Sequence, residues 1–167
     1  QEIKSLFNDI HSNRLLIGTH SYGVVAYDYA TNKINVIPSL GGVPIISSIK
    51  QTQDGTVWAS SFSNGLYYLE NDTLKKVDDV KKRFRNITSL LAIGNTLLAD
   101  KSKTIYILRN REIVDSITVA IPGFDFPTAT TRVTTMAIDH EGHIWMGTER
   151  TGALVYDTVK RTFIKHF

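Results

Sequence analysis

The sequence predicts an all-β fold built from four successive four-stranded antiparallel meanders. Similar segments recur at intervals of roughly 40 to 47 residues, which is the signature of a repeat architecture. The stretches around them are rich in Tyr, Val, Ile, Trp and Thr, the residues that pleated, half-buried strands prefer. Asp-Gly and Glu-Gly pairs separate these stretches, as tight hairpin turns require. Helical periodicity is nearly absent, which disfavours α/β architectures.

Each repeat centres on one conserved pattern of strand, loop and strand. The four central segments are residues 15–28 (LLIGTHSYGVVAYD), 57–70 (VWASSFSNGLYYLE), 97–109 (LLADKSKTIYILR) and 144–157 (IWMGTERTGALVYD). A strand-like stretch and a turn precede each segment, and another strand-like stretch follows it. Every unit therefore reads strand, turn, strand, loop, strand, turn, strand, which is a β-propeller blade.

The first two units follow this order closely. Unit one opens at Ser5-Leu6-Phe7 and ends with residues 34–37. Unit two opens at Ser47-Ser48-Ile49, turns at Asp54-Gly55 and ends with residues 74–77. Gly23 and Gly65 have equivalent positions in their units, where the third strand begins and a positive φ is expected.

The last two units differ from each other in how well they keep the pattern. Unit three runs from residues 87–93 through the turn at 94–95 to residues 113–117, and residues 100–104 (DKSKT) replace its Gly-Thr step and later glycine. Unit four opens with residues 133–138, turns at Glu141-Gly142 and ends with residues 162–167. The predicted blades are residues 3–38, 45–80, 86–118 and 132–167, in one domain.

Composition excludes several functional classes. The 167 residues include no cysteine, so disulfides, thiolate zinc sites and thiol nucleophiles are ruled out. Apolar runs fall well short of the roughly 20 residues that a membrane span needs, and the N-terminus lacks the apolar core of a signal peptide. The net charge of +3 comes from interspersed residues, so we expect no nucleic-acid binding.

The fourth unit carries the clearest family pattern. Residues 139–149 (DHEGHIWMGTE), followed by residues 152–157 (GALVYD), resemble the repeat of two-component regulator propellers. Unit one matches through Leu16-Ile17-Gly18-Thr19, Gly23 and Tyr27-Asp28. Unit two matches in part, and unit three departs most.

This resemblance implies a sensory role. Repeats of this family form the extracytoplasmic sensors of hybrid two-component systems of Bacteroides-type bacteria, which bind glycan-derived oligosaccharides and signal to a membrane-spanning histidine kinase. It implies a periplasmic location, an oligosaccharide partner and a non-catalytic fragment whose membrane contact lies only in other parts of the full-length protein. The alternatives are a protein-interaction propeller and a propeller lyase.

The four units are expected to form an arc of a larger propeller, because no blade is split between the two chain ends. The outward faces of units one and four would then be apolar surfaces, and we expect a homodimer or higher oligomer through them. A closed four-bladed ring is the alternative.

In the propeller geometry that the family resemblance implies, the loops between second and third strands and the linkers between blades share one rim, which carries the candidate ligand contacts. The candidates are His20, Tyr22, Phe62, Asn64, Lys101, Glu149 and Arg150. Aromatic faces beside amide, hydroxyl and charged groups suit sugar recognition, although solvated loop tips have the same composition. The linkers 38–44, 78–86 and 119–132 share this rim.

Other constellations favour structural roles. The basic segment of Lys75, Lys76, Lys81, Lys82, Arg83 and Arg85 could attract an anionic glycan, but Asp78 and Asp79 interrupt it and favour a solvated loop. Trp58 and Trp145 occupy equivalent second-strand positions that favour interblade core over sugar platforms. His140 and His143 lack a third ligand at metal spacing, so neither a metal nor another cofactor is predicted. No catalytic constellation is visible.

Overall fold

The computed structural model describes residues 2–40, 42, 44–78, 83–119 and 132–167. Within these ranges every regular element is a β-strand, and the strands form four separate four-stranded sheets. The predicted all-β class is confirmed. The described ranges contain no helix long and apolar enough to span a membrane.

Each sheet is one blade, and the blades follow one another along the chain. Blade 1 contains β1 (Ile3–Asp9), β2 (Arg14–Thr19), β3 (Val24–Asp28) and β4 (Ile34–Val36). Blade 2 contains β5 (Ile46–Gln51), β6 (Val57–Ser61), β7 (Gly65–Glu70) and β8 (Thr73–Lys76). Blade 3 contains β9 (Leu90–Ile93), β10 (Thr96–Lys101), β11 (Thr104–Arg109) and β12 (Glu112–Thr118). Blade 4 contains β13 (Val133–Ile138), β14 (His143–Thr148), β15 (Ala153–Asp157) and β16 (Thr162–His166).

Every blade is a simple antiparallel meander in which each strand pairs with the next one along the chain. Between blades, the first strands lie closest together: β1 contacts β5, β5 contacts β9 and β9 contacts β13. This arrangement places the first strands around the shared axis and the fourth strands on the outside, as in a propeller.

The turns have the backbone conformations that the sequence indicates. Gly55 and Gly142 occupy the hairpins between first and second strands with φ of 85° and 83°, in the left-handed region that glycine tolerates best. Gly23, Gly65 and Gly152 close the loops before the third strands, also with positive φ. In blade 3 this loop shrinks to Ser102-Lys103, because Lys101 pairs directly with Thr104. The divergent unit is therefore a shortened blade of the same type.

Three hydrophobic clusters fill the junctions between consecutive blades. The cluster between blades 1 and 2 contains Leu16, Val24, Ile46, Ile49 and Tyr67 among others. The next is built around Trp58, Leu66, Phe84, Ile87 and Leu90. The last includes Leu98, Ile105, Val133, Met136 and Ile144. Because blades 2 and 3 bury both faces, their second strands are almost continuously buried.

Gly18 shows why a Gly-Thr step occurs in these repeats. A Cβ atom at Gly18 would lie 2.5 Å from Cγ2 of Ile46, the first residue of the next blade. Ile46 has no exposed surface. The glycine therefore makes room for the leading apolar residue of the following blade, and a side chain at this point would push the two blades apart.

The array is an open arc. In the described part of the chain, hydrophobic clusters join blades 1 and 2, 2 and 3, and 3 and 4, and none joins blade 4 to blade 1. Leu6 of blade 1 is 61% exposed, whereas Ile49 at the same position of blade 2 is 1% exposed. The described blades therefore form an open arc, as predicted, and not a closed four-bladed ring.

Candidate ligand-binding rim

The loops between second and third strands lie at the same end of the array as the starts of the first strands. In each of blades 1, 2 and 4, an equivalent backbone hydrogen bond holds the loop beside the start of the first strand. The N–H of His20 donates to the carbonyl of Glu2 at 3.1 Å, that of Phe62 to Ile45 at 3.2 Å, and that of Glu149 to Arg132 at 2.9 Å. His20, Phe62 and Glu149 are therefore structurally equivalent, and each lies near the axis.

A hydroxyl group at the end of the second strand shapes each of these loops. Thr19 Oγ1 accepts the N–H of Tyr22 at 2.9 Å, Ser61 Oγ accepts that of Asn64 at 3.1 Å, and Thr148 Oγ1 accepts that of Thr151 at 3.0 Å. The threonine of the Gly-Thr step thus closes the loop, as side-chain hydroxyls commonly do in turns. It fixes the backbone that carries the loop side chains.

Among its described residues, the rim exposes the aromatic side chains of Tyr22 and Phe62. Tyr22 of blade 1 is 54% exposed, and Phe62 of blade 2 is 42% exposed. The guanidinium carbon of Arg132 lies 4.8 Å from the centroid of the Phe62 ring, within cation–π range. Arg132 immediately precedes β13, so this contact joins blades 2 and 4 beside the axis.

A groove opens on the rim between blades 2 and 3. It is lined by Asn64, Gly65, Lys76, Val77, Asp78, Phe84 and Arg85. A Cβ atom at Gly65 would lie 3.3 Å from Lys76 Cε and 3.4 Å from the Phe84 carbonyl oxygen, so the glycine keeps part of the floor open. The groove combines an amide, two cationic groups and a carboxylate with an apolar floor, which suits a polyhydroxylated ligand.

Beneath the rim, Asp100 lies fully buried at the junction of blades 3 and 4. Its carboxylate accepts hydrogen bonds from the N–H groups of Thr88 at 2.9 Å and Ser89 at 2.6 Å. The Thr88 hydroxyl lies 2.7 Å from the same carboxylate and 2.8 Å from the Val133 carbonyl. Burial raises the pKa of Asp100, and these hydrogen bonds oppose the rise.

The predicted contact residues are mostly accessible. His20, Tyr22, Phe62, Glu149 and Arg150 are exposed. Asn64 and Lys101 are partly buried. The structure brings Asn64 into the groove and Phe62 to Arg132, while the blade 1 and blade 4 candidates lie at opposite ends of the arc. The role of each as a ligand contact stays a prediction.

Sequence reasoning missed Arg132 and gave Asp100 no role. Arg132 was visible only as the residue before a strand, and nothing local shows that it reaches an aromatic ring two blades away. Of the rim linkers, residues 41, 43, 79–82 and 120–131 lie outside the described residues, and Asp79, Lys81 and Lys82 are among them.

Lys75 of the basic segment, Trp58 and Trp145 have structural partners. Lys75 pairs with Glu70, which also lies 3.1 Å from Arg111 of blade 3. Trp58 is buried in the cluster between blades 2 and 3, as predicted. Trp145 lies on the outward face of blade 4, 38% exposed and stacked on Phe167 with 5.8 Å between ring centroids.

Asp139, Glu141 and His143 place one potential metal-ligand atom each within 4.8 Å of one another. Asp139 is already engaged by its own turn. Its carboxylate accepts hydrogen bonds from Trp145 Nε1 at 2.8 Å and from the N–H groups of Glu141 at 3.0 Å and His143 at 2.9 Å. These bonds, that of Trp145 foremost, lower the pKa of Asp139 to about 2. The cluster therefore serves to shape the hairpin.

Comparisons with known proteins agree with this geometry. Residues 129–150 match the family model of the two component regulator propeller. No curated protein sequence matches the chain. The chain superposes on the extracellular domain assigned to the hybrid two component system BT4673 from B. thetaiotaomicron with a TM-score of 0.75 and 16% identity, covering 99% of this chain and 22% of that one.

Two further solved structures share the fold. The extracellular domain assigned to the hybrid two component system BT3049 from B. thetaiotaomicron gives a TM-score of 0.74 at 17% identity, covering 98% of this chain and 23% of that one. The computationally designed Ika4 protein gives 0.66 at 13% identity, covering 93% of this chain and 91% of that one. The chain thus spans less than a quarter of the two bacterial domains. Residues 129–150 thus match the two component regulator propeller repeat, and the four sheets share the fold of those extracellular domains.

Proposed function

We propose that this chain is part of the periplasmic sensor of a hybrid two-component system and that its rim binds an oligosaccharide. The family repeat in blade 4 and the fold shared with two bacterial extracellular domains support the sensor role. In the complete protein, a histidine kinase across the membrane would read the signal. The fragment itself acts by binding and not by catalysis.

The observation that carries the ligand proposal is the chemistry of the rim. Tyr22 and Phe62 expose aromatic faces there, and the neighbouring groove presents Asn64, Lys76 and Arg85. Sugars bind through stacking of their C–H faces on aromatic rings and through several hydrogen bonds to polar groups at the edges. The rim supplies both kinds of contact within one end of the array.

Signalling by such a site requires differential affinity. A ligand that contacts the loops of two blades binds best when those blades have one particular relative position. It therefore shifts the population toward that arrangement by the difference in its binding free energy. The Phe62–Arg132 contact joins blades 2 and 4 and is one interaction that such a shift would change.

The test is a thermal-shift screen of this chain against neutral, uronic and sulfated oligosaccharides, followed by calorimetric titration of any that stabilise it. A ligand present at one hundred times its Kd stabilises the folded state by about 2.7 kcal/mol. For a chain of this size that raises the Tm by about 5 to 11 °C. Failure of every class of oligosaccharide to raise the Tm would overturn the ligand proposal.

Three aromatic variants locate the site. We expect Tyr22→Ala or Phe62→Ala to weaken binding about tenfold or more, because a lost aromatic contact costs at least about 1.4 kcal/mol. Tyr29→Ala is the matched control, since Tyr29 is 43% exposed but lies in the turn between third and fourth strands, at the other end of the blade. Equal weakening by all three variants would place the ligand elsewhere.

A further inference from the structure

The three junctions inside the array follow one rule. We use the term lead residue for Ile46 and Val133, which begin β5 and β13, and for Ile87, which lies three residues before β9; all three are fully buried. At the first junction, Ile46 lies beside Gly18 in the second strand of the preceding blade. Ser60, Asp100 and Gly147 have the position of Gly18 in blades 2, 3 and 4, and we term these four the junction residues.

Hydroxyl groups form hydrogen bonds across these junctions. Ser47 Oγ donates to the carbonyl of Ile87 at 2.7 Å, and Thr88 Oγ1 is 2.8 Å from the carbonyl of Val133. Thr134 stands at the same position in blade 4 and bonds instead to the carbonyl of Gly147 in its own sheet. Ser5 Oγ of blade 1 accepts the N–H of Ile49 at 3.0 Å, and Thr135 is its counterpart in blade 4.

The outward face of blade 4 therefore has the groups that contact a lead residue at the internal junctions, and these groups are uncovered. A Cβ atom at Gly147 would meet only Thr134 and Thr135 of its own blade, whereas one at Gly18 meets Ile46 of the next. Phe167 pairs with Ala153 as Ile37 pairs with Val24, yet Phe167 is 65% exposed and Ile37 is 5% exposed. The space that a lead residue fills at the internal junctions is open here.

The outward face of blade 1 carries the matching groups. Ile3 has the position of a lead residue and is 57% exposed. Leu6 has the position of Ile49 and Leu90, which are each 1% exposed, and Val36 adds further exposed apolar surface on the same face. Blade 1 thus presents what blade 4 is shaped to receive.

We propose that copies of this chain associate head to tail, with blade 1 of one copy seated on blade 4 of the next. In this junction Ile3 of one copy lies over Gly147 of the other, and Leu6 packs against Trp145 and Phe167. The N–H of Leu6 donates to Thr135 Oγ1, as Ile49 donates to Ser5. The interface is heterologous, because two different surfaces meet.

Analytical ultracentrifugation of the full chain with three variants tests this proposal. The wild type is expected to sediment as a species of at least twice the 18.7 kDa chain mass at tens of micromolar. Ile3→Glu/Leu6→Glu and Thr135→Glu/Phe167→Glu are each expected to be monomeric, with unchanged circular dichroism spectra. Val159→Glu is the control, because Val159 is 88% exposed in a turn away from both faces, and its assembly should match the wild type.

Mixing the two double variants is the decisive step. Each retains one intact face, so an equimolar mixture should form a complex of two chains and no larger species. A monomeric wild type would overturn the proposal. So would a mixture that stays monomeric, or one double variant that remains a homodimer while the other does not, since the latter result indicates two identical faces in contact.

Discussion

Replacing Gly18 tests whether the spacing of the blades depends on one absent side chain. Its Cβ would lie 2.5 Å from Ile46 Cγ2, 3.1 Å from Ile46 Cβ and 3.2 Å from Ser5 Cβ, and the Ile46 side chain is fully buried. Inserting a methyl group into such a packed site costs about 1 to 3 kcal/mol. The expected fall in Tm for Gly18→Ala is therefore about 2 to 12 °C, measured by circular dichroism melting.

Gly147→Ala is the matched control for this substitution. It has the same position in its blade, but its Cβ would approach only the Thr135 methyl at 2.8 Å and the Thr134 hydroxyl at 3.8 Å, both ends of side chains in its own sheet. We expect a smaller fall in Tm when both substitutions are made in the Ile3→Glu/Leu6→Glu background, in which no second copy covers Gly147. Equal effects of the two substitutions would show that the cost arises within a blade and would refute the interblade explanation.

A double-mutant cycle adds an independent check. Ile46→Ala removes the atom that the new methyl group would meet, and alone it costs about 2 to 5 kcal/mol because it leaves a cavity. Gly18→Ala should then cost much less in the Ile46→Ala background than in the wild type, since contacting sites are not additive. Strict additivity of the two free energies of unfolding would contradict the contact.

Three further predictions concern charged groups. Burial raises the pKa of Asp100, so this group contributes stability below its unfolded pKa, and that stability is lost as the pH rises through the folded pKa. Asp100→Asn, whose amide can donate to Thr88 Oγ1, should remove this decline in the free energy of unfolding, measured by urea titrations between pH 3 and 8. An unchanged pH profile in the variant would argue against this role of Asp100. The pKa of Asp139 is lowered to about 2, so its contribution to stability is present above the unfolded pKa and is lost as the pH falls toward about 2. In a Trp58→Phe background, the fluorescence of Trp145 should change over that pH range when Asp139 is present and should not change in Asp139→Asn. Arg14→Met should destabilise the fold by about 3 to 5 kcal/mol, because Asp9, whose side chain is only 2% exposed, loses its partner at 3.1 Å. Asp72→Ala removes an exposed partner of Arg14 and should cost at most about 1 kcal/mol in the same denaturant assay. Similar costs for the two variants would contradict the importance of burial.

The strands and turns could be predicted from sequence because their causes are local. Period-two alternation marks a strand wherever one face is buried, and Gly55 and Gly142 mark hairpins because the turn needs a positive φ. The loop residues Tyr22, Phe62 and Asn64 could be assigned to one rim from the order of strands together with the propeller geometry that the family resemblance implies. The divergence of blade 3 was also visible, and the structure shows it as a shortened loop at Ser102.

Contacts between blades could not be predicted, because the partners lie far apart in sequence and alternation does not say which neighbour a face meets. Nothing near Gly18 shows that Ile46 fills the space beside it, and nothing near Arg132 points to Phe62. In the sequence, Asp100 stands only as a departure from the Gly-Thr step of the other repeats, yet its carboxylate accepts hydrogen bonds from the N–H groups of Thr88 and Ser89. The sequence by itself determined the kind of unit and the order of its strands, since both follow from local backbone preferences. The sequence also predicted an open array with uncovered faces on units one and four. Only the tertiary structure decided which side chains lie on those faces and which groups meet on the rim, because those contacts depend on how far each blade rotates against the next.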